Sequence, residues 1–153
     1  MKNEELFKKL EGTLYNYENM EKEIENLQLE IESIKNEYTG CGAITYEERT
    51  GPTNKFNSSV ENEIIYKEKM INNLNKMIEG RKITLKKIDN AINSNVLTDV
   101  EKDLIYKRYI KGHGRDSWWK IAVELNLTEA RIYQLRDSSI NKLVPIVYVG
   151  LVG

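Results

Sequence analysis

The sequence predicts an all-α protein: a long N-terminal antiparallel helical hairpin of coiled-coil type, then a compact C-terminal unit of three short helices. Three observations carry this. Apolar residues recur at alternating steps of three and four through two long stretches. Charged residues make up 31% of the 153-residue chain and aromatics 8%, which suits helices with a narrow apolar stripe better than one large core. Only two prolines, Pro52 and Pro145, interrupt the chain. The expected organisation is a hairpin and oligomerisation region at 1–96, containing a linker at 39–58, followed by a second domain at 97–153 with an apolar tail.

The first helix is expected from Asn3 to Tyr38. Its stripe is Leu6, Leu10, Tyr17, Met20, Ile24, Leu27, Ile31, Ile34 and Tyr38, with Thr13 filling one seam slot. That spacing predicts one unbroken helix of about 35 residues, roughly 50 Å long. Asn3 is a suitable N-cap, and Glu4 and Glu5 suit the positive end of the helix dipole. The stretch "TGCGAITYEERTGPTNKFNSS" then breaks the pattern with glycines, threonines and a proline.

Ser58 and Glu61 form a capping-box signature that opens a second helix. Its stripe runs through Val60, Ile64, Ile71, Leu74, Ile78, Leu85, Ile88 and Ile92 and ends near Asn93–Asn95, with Lys67 and Arg81 at two seam positions. Residues 3–38 hold ten acidic and four basic side chains, a net of −6; residues 59–94 hold five and seven, a net of +2. An intrachain antiparallel hairpin would match both charge and apolar faces. The alternative is that each helix pairs with another subunit.

After Leu97, "LTDVEKDLIYKRYI" begins with a second capping box, Thr98 to Glu101, and carries Val100, Leu104, Ile105, Tyr109 and Ile110. "KGHGRD" reads as a glycine-marked loop. Ser117 caps "WWKIAVEL", Asn126 stops it, and Thr128 caps "EARIYQLRDSSINKL". Trp118, Ile121, Ala122 and Leu125 share one face of the middle helix. Ile132, Leu135, Ser139 and Leu143 form the inner face of the last. Small Ala122 lets the next helix cross closely, Asn126 tolerates a left-handed backbone, and Leu127 plugs the corner. This is the pattern of a helix-turn-helix.

The outward residues of the last helix are Glu129, Ala130, Arg131, Tyr133, Gln134 and Asp137, with Arg136 at the flank. Gln134 can pair bidentately with adenine, Arg131 with guanine or phosphate, and Ala130 suits a thymine methyl. Arg115, Ser117, Lys120 and Thr128, with Lys111 and Lys142, stand where phosphate contacts lie in this motif. Exposed Trp119 would brace the DNA backbone or a protein partner, while Trp118 is expected in the core. The chain's formal net charge of −1 gives no hint of nucleic acid, but residues 98–153 hold nine basic and seven acidic side chains, a net of +2. Acidic Glu129 and Asp137 work against phosphates.

"LTDVEKDLIYKRYIKGHGRDSWWKIAVELNLTEARIYQLRDSSINKL" resembles the last conserved region of bacterial sigma factors (region 4), which reads the −35 promoter element. The residues matching Glu129, Ala130, Tyr133 and Gln134 face the major groove there. The earlier sigma domains are absent. Over its full length, the chain resembles phage and prophage late-gene regulators of the RinA and ArpU type, through "GPTNKFNSSVENEI", "LIYKRYI", the tryptophan before "IA", and "RIYQL". The resemblance implies transcriptional activation of phage late genes.

Other chemistry finds little support. Cys41 is the sole cysteine, so no intrachain disulfide can form and an intracellular, cytoplasmic setting is expected. "MKNEELFKKLEG" has no apolar signal core and no stretch is long enough to span a bilayer. His113 stands apart from Cys41, so no metal site or cofactor is expected. The glutamates read as solvated helix faces, and the chain is not expected to be an enzyme. The partners expected are double-stranded DNA, host RNA polymerase, and a second copy in a homodimer. Two further functions remain open: a small terminase-like DNA-packaging subunit, and an adaptor that docks on RNA polymerase through the hairpin.

Overall fold

A computed structural model of the chain describes residues 2–44, 53–112 and 115–151. Every regular element among them is helical. In order they are α1 (Lys2–Tyr15), α2 (Tyr17–Ile44), α3 (Thr53–Asn93), α4 (Asp99–Ile105), a π-helical turn (Tyr106–Ile110), α5 (Trp118–Glu124) and α6 (Glu129–Val147). Residues 45–52 of the expected linker, together with His113, Gly114 and Val152, lie outside the described residues. No helix among those described is long and apolar enough to cross a membrane.

Several boundaries differ from the sequence expectation: α1 already includes Asn3, which is therefore not its N-cap, and three others shift for local reasons. The first helix is not unbroken: a turn at Asn16 separates α1 from α2, and α2 then runs past Tyr38 to Ile44. Gly12, Thr13 and Asn16 are all weak helix formers, and the Thr13 hydroxyl donates back to the Lys9 carbonyl at 2.8 Å, a bond that bends helices. Leu14, not Thr13, is the buried residue, because Leu6, Leu10 and Leu14 follow the four-residue step of a straight helix. Ser58 does not open α3, whose backbone is helical from Thr53 onward. No proline or glycine lies between 53 and 58 to prevent the earlier start. Finally, α6 does not stop at Leu143 but continues to Val147 with Pro145 inside it. The ring removes one donor in the last turn only, and buried Val144 and Val147 hold that turn down.

The described chain divides into two compact units. Residues up to Glu21 together with those from Ile83 onward form one, and Lys22–Lys82 the other. In the first, α1 packs on α6 and on the π-helical turn, and α4 and α5 also pack on α6. The core of this unit draws on Leu10 and Leu14 of α1, Ile88 and Ile92 of α3, and Leu104, Ile121, Ile132 and Leu143 of the later helices. Each is essentially fully buried, and such burial stabilises by about 1.5–3 kcal/mol per side chain. The Tyr17 hydroxyl donates to Asp89 at 2.5 Å; burial and the neighbouring carboxylate both push its pKa up.

The second unit buries Ile31, Ile34 and Ile78, while Leu29, Ile65, Tyr66 and Met77 are exposed. The two cations at seam positions lie partly buried with their charged ends paired. Lys67 meets Glu63 at 3.2 Å, and Arg81 meets Glu23 of α2 at 2.6 Å.

Candidate nucleic-acid interface

The chain between α5 and α6 is closed by three short-range devices. Leu125 ends α5, and Asn126 adopts φ 58, the only positive φ outside glycine among the described residues. Asn126 N–H donates to the Val123 carbonyl at 3.2 Å, and Leu127 N–H reaches back to the Ala122 carbonyl at 2.8 Å. This pair of bonds is a Schellman motif with asparagine in the left-handed position. Leu127 packs against the core, and Thr128 at once caps α6, its hydroxyl accepting from Arg131 N–H at 3.2 Å. At the other end of α5, the Ser117 hydroxyl accepts from Lys120 N–H at 3.1 Å. Each cap satisfies a donor that the first turn leaves orphaned.

With the ends fixed, α6 divides cleanly by face. Ile132, Leu135, Ser139, Ile140 and Leu143 are buried, whereas Glu129, Ala130, Arg131, Tyr133 and Gln134 are exposed. Thr128, Arg115, Ser117 and Lys120 are exposed too. Arg131 donates to the Gln134 side-chain oxygen at 3.2 Å, so these two act as one hydrogen-bonded unit on the surface. Lys120 lies 3.0 Å from Asp116, whose hydrogen bond and charge push the lysine pKa up.

Two expected contacts are occupied differently. Arg136 is half-buried: it bonds Asp137 at 2.9 Å and lies over the rings of Trp118 and Tyr133, at 5.7 and 5.3 Å. Burial disfavours its charge, but the bond to Asp137 prevails and its pKa rises. Lys142, expected at a phosphate, lies 2.7 Å from Glu101.

Glu101 is the larger surprise. It is 2% exposed, and it completes the Thr98 capping box from both directions. Its Oε1 accepts from Thr98 N–H and Lys142, and its Oε2 lies 3.2 Å from the hydroxyls of Ser138 and Ser139. Ser139 also points its single proton toward the Leu135 carbonyl at 2.6 Å, so it serves one acceptor at a time. Burial alone would raise the Glu101 pKa; the bonds from Lys142 and Thr98 outweigh it and hold the carboxyl below its ordinary value. The network ties the start of α4 to the second half of α6.

A family model described as Protein of unknown function (DUF722) matches residues 7–145. The chain belongs to this family. No curated protein and no solved structure matches it significantly. The DUF722 match spans both compact units and takes in α1 from Phe7, the candidate face of α6, and Pro145.

Sequence reasoning missed several contributors in this DUF722 chain. Tyr15 of α1 belongs to the same unit as α6: Arg108 Nε donates to its hydroxyl at 3.1 Å, and its ring lies 4.6 Å from that of Tyr109. The four-residue step from Leu10 to Leu14, where the heptad would use Thr13, is the trace this packing leaves in the sequence. The π-helical turn, closed by Lys111 N–H to the Tyr106 carbonyl at 2.8 Å, has no such trace. It brings Gly112 so close to the Lys107 carbonyl that any Cβ would collide with it. Tyr109 is fully buried on this turn, and its hydroxyl has no hydrogen-bond partner among the described residues.

Proposed function

We propose that residues 98–143 form a helix-turn-helix that binds double-stranded DNA, with α6 as the reading helix, in a transcription regulator of the phage late-gene type. The observation that carries this is the Leu125–Thr128 turn. Its Schellman closure followed at once by an N-cap leaves the first two turns of α6 exposed and polar while the inner face is locked into the core. In this reading Gln134 and Arg131 pair with base edges, Ala130 meets a thymine methyl, and Glu129 and Tyr133 flank them. Arg115, Ser117, Lys120 and Thr128 hold phosphates and set the register. Nothing in this mechanism requires a cofactor or an enzymatic step.

In the same reading the long helices of the 1–96 region, α2 and α3, form an antiparallel coiled hairpin that makes the protein a homodimer, while α1 stays with the helix-turn-helix unit. In its favour, the bridges Tyr17–Asp89 and Glu23–Arg81 run in opposite order along α2 and α3. One module covers few base pairs, and a net of +2 attracts DNA weakly, so selective binding calls for two modules on one duplex. RNA polymerase is the proposed second partner and the cytoplasm the proposed setting.

Selection of bound fragments from genomic DNA, followed by affinity measurement at fixed salt, tests the reading. Replacing Arg131 or Gln134 by Ala removes one base-reading side chain each time. Each replacement should cost about 1–3 kcal/mol on the selected site and relax sequence preference. Unchanged specific binding would overturn the assignment of α6. Sedimentation at micromolar concentration should give a dimer. A monomer that still protects one short site removes the dimer, and a ring of eight or more copies moves the reading to DNA packaging.

A further inference from the structure

A continuous chain of stacked rings and guanidinium groups joins α1 to the candidate DNA face. It begins at Tyr15, whose ring lies 4.6 Å from Tyr109 and 5.6 Å from the guanidinium of Arg108. Arg108 lies 4.5 Å from the ring centre of Trp118 and donates through its second nitrogen to the Asp116 carbonyl. Trp118 meets Tyr109 edge-on at 6.1 Å and Tyr133 at 5.9 Å. Arg136 closes the set, within 6 Å of the centres of both Trp118 and Tyr133. The distances are those at which ring quadrupoles attract one another and attract cations. Tyr133 is 37% exposed and is the outermost member; Tyr109 is fully buried and is the innermost.

We infer that α1 is an integral wall of the DNA-binding unit, and that Tyr15 and Arg136 are positioning residues that set the reading helix through Trp118. This rests on the function proposed above and adds the means by which that site is held. Two guanidinium groups lie within 6 Å of the Trp118 ring centre, Arg108 at 4.5 Å and Arg136 at 5.7 Å. One comes from the π-helical turn, where Tyr15 orients it, and the other from α6 itself, where Asp137 orients it. Moving the ring changes its distance to both groups and to the Tyr133 ring at 5.9 Å. Tyr133 sits between Ile132 and Gln134, so a shift of the Trp118 ring passes directly to the first exposed turns of α6. Arg136 therefore acts as a planar stacker and not as a phosphate ligand. A lysine in its place keeps the charge and loses the plane.

The experiment uses the full chain and duplex DNA carrying the selected site. Tyr15→Ala should lower affinity about tenfold, the equivalent of removing about two ring–ring or ring–cation attractions. The slope of log affinity against log salt should stay unchanged, because Tyr15 neutralises no phosphate. Tyr15→Phe keeps the ring but loses the hydroxyl that accepts from Arg108, and should fall between wild type and Tyr15→Ala; equal denaturation midpoints for the three chains exclude a folding defect. Arg136→Lys should behave like Tyr15→Ala, again at unchanged salt slope. Wild-type affinity in both Tyr15→Ala and Arg136→Lys overturns the inference and leaves the function standing. A reduced salt slope in an Arg136→Ala chain overturns it in favour of direct phosphate binding. A wild-type chain that binds no duplex overturns the function, and this inference with it.

Discussion

Replacing Glu101 by Gln should destabilise the first compact unit by about 1–3 kcal/mol at neutral pH, and the deficit should fade in acid. The carboxylate is 2% exposed and accepts from Thr98 N–H, Lys142 and Ser138, with Ser139 as an alternating donor. Glutamine keeps one acceptor oxygen for Thr98 but turns an NH2 group toward donors. It therefore loses the charge-assisted bond with Lys142, and the Ser138 and Ser139 hydroxyls must turn to accept from the amide. Lys142 is 40% exposed and can rehydrate, which keeps the loss below that of a fully buried ion pair. The pH dependence follows from the direction of the carboxyl shift. Its folded pKa is depressed, so its stabilisation is fully present above the unfolded value near 4.3 and is lost as pH falls through the folded value. Both tryptophans lie in this unit, so denaturant unfolding followed by tryptophan emission isolates it from the other. Measured from pH 7 down to pH 3, the gap between wild type and Glu101→Gln should stay constant above the unfolded carboxyl value and narrow as pH falls below it. A gap that stays constant across that range would show that ionised Glu101 contributes nothing particular.

The left-handed position at Asn126 gives a second expectation: Asn126→Gly should lie within about 0.5 kcal/mol of wild type, and Asn126→Val should cost about 1–2 kcal/mol, both by the same denaturation assay. Tyr109→Phe removes a buried hydroxyl that has no partner among the described residues and should raise stability by about 1 kcal/mol, seen as a higher midpoint; a drop would mean the hydroxyl is satisfied.

Much of the C-terminal helical grammar is readable from single residues. Thr98, Ser117 and Thr128 cap because their side chains meet orphaned donors within three residues, and Asn126 turns because few other residues tolerate φ 58. Local rules suffice there. What they cannot reach is set by partners distant in sequence. Glu101 reads as a cap, and only the arrival of Lys142 and Ser138 from α6 makes it a buried charge centre. Arg136 reads as an exposed flank until Trp118 comes beneath it. The heptad pattern of residues 3–38 puts Thr13 in the seam because it presumes one straight partner throughout. Packing of α1 on α6 favours Leu14 instead, and Asn16 absorbs the change of phase.

The joining of α1 to α6 also has a consequence for synthesis. Leu10 and Leu14 leave the ribosome well before Ile132 and Leu143, with which they share a core. At ordinary translation rates of about 5–20 residues per second, Leu14 waits roughly 6–26 seconds for Leu143 to be made. During that interval its apolar stripe has no native cover from the later helices, and the first unit cannot close however well α4 and α5 have formed. A nascent chain stalled before α6 would therefore present an uncovered α1, a target for a chaperone that binds short apolar helices.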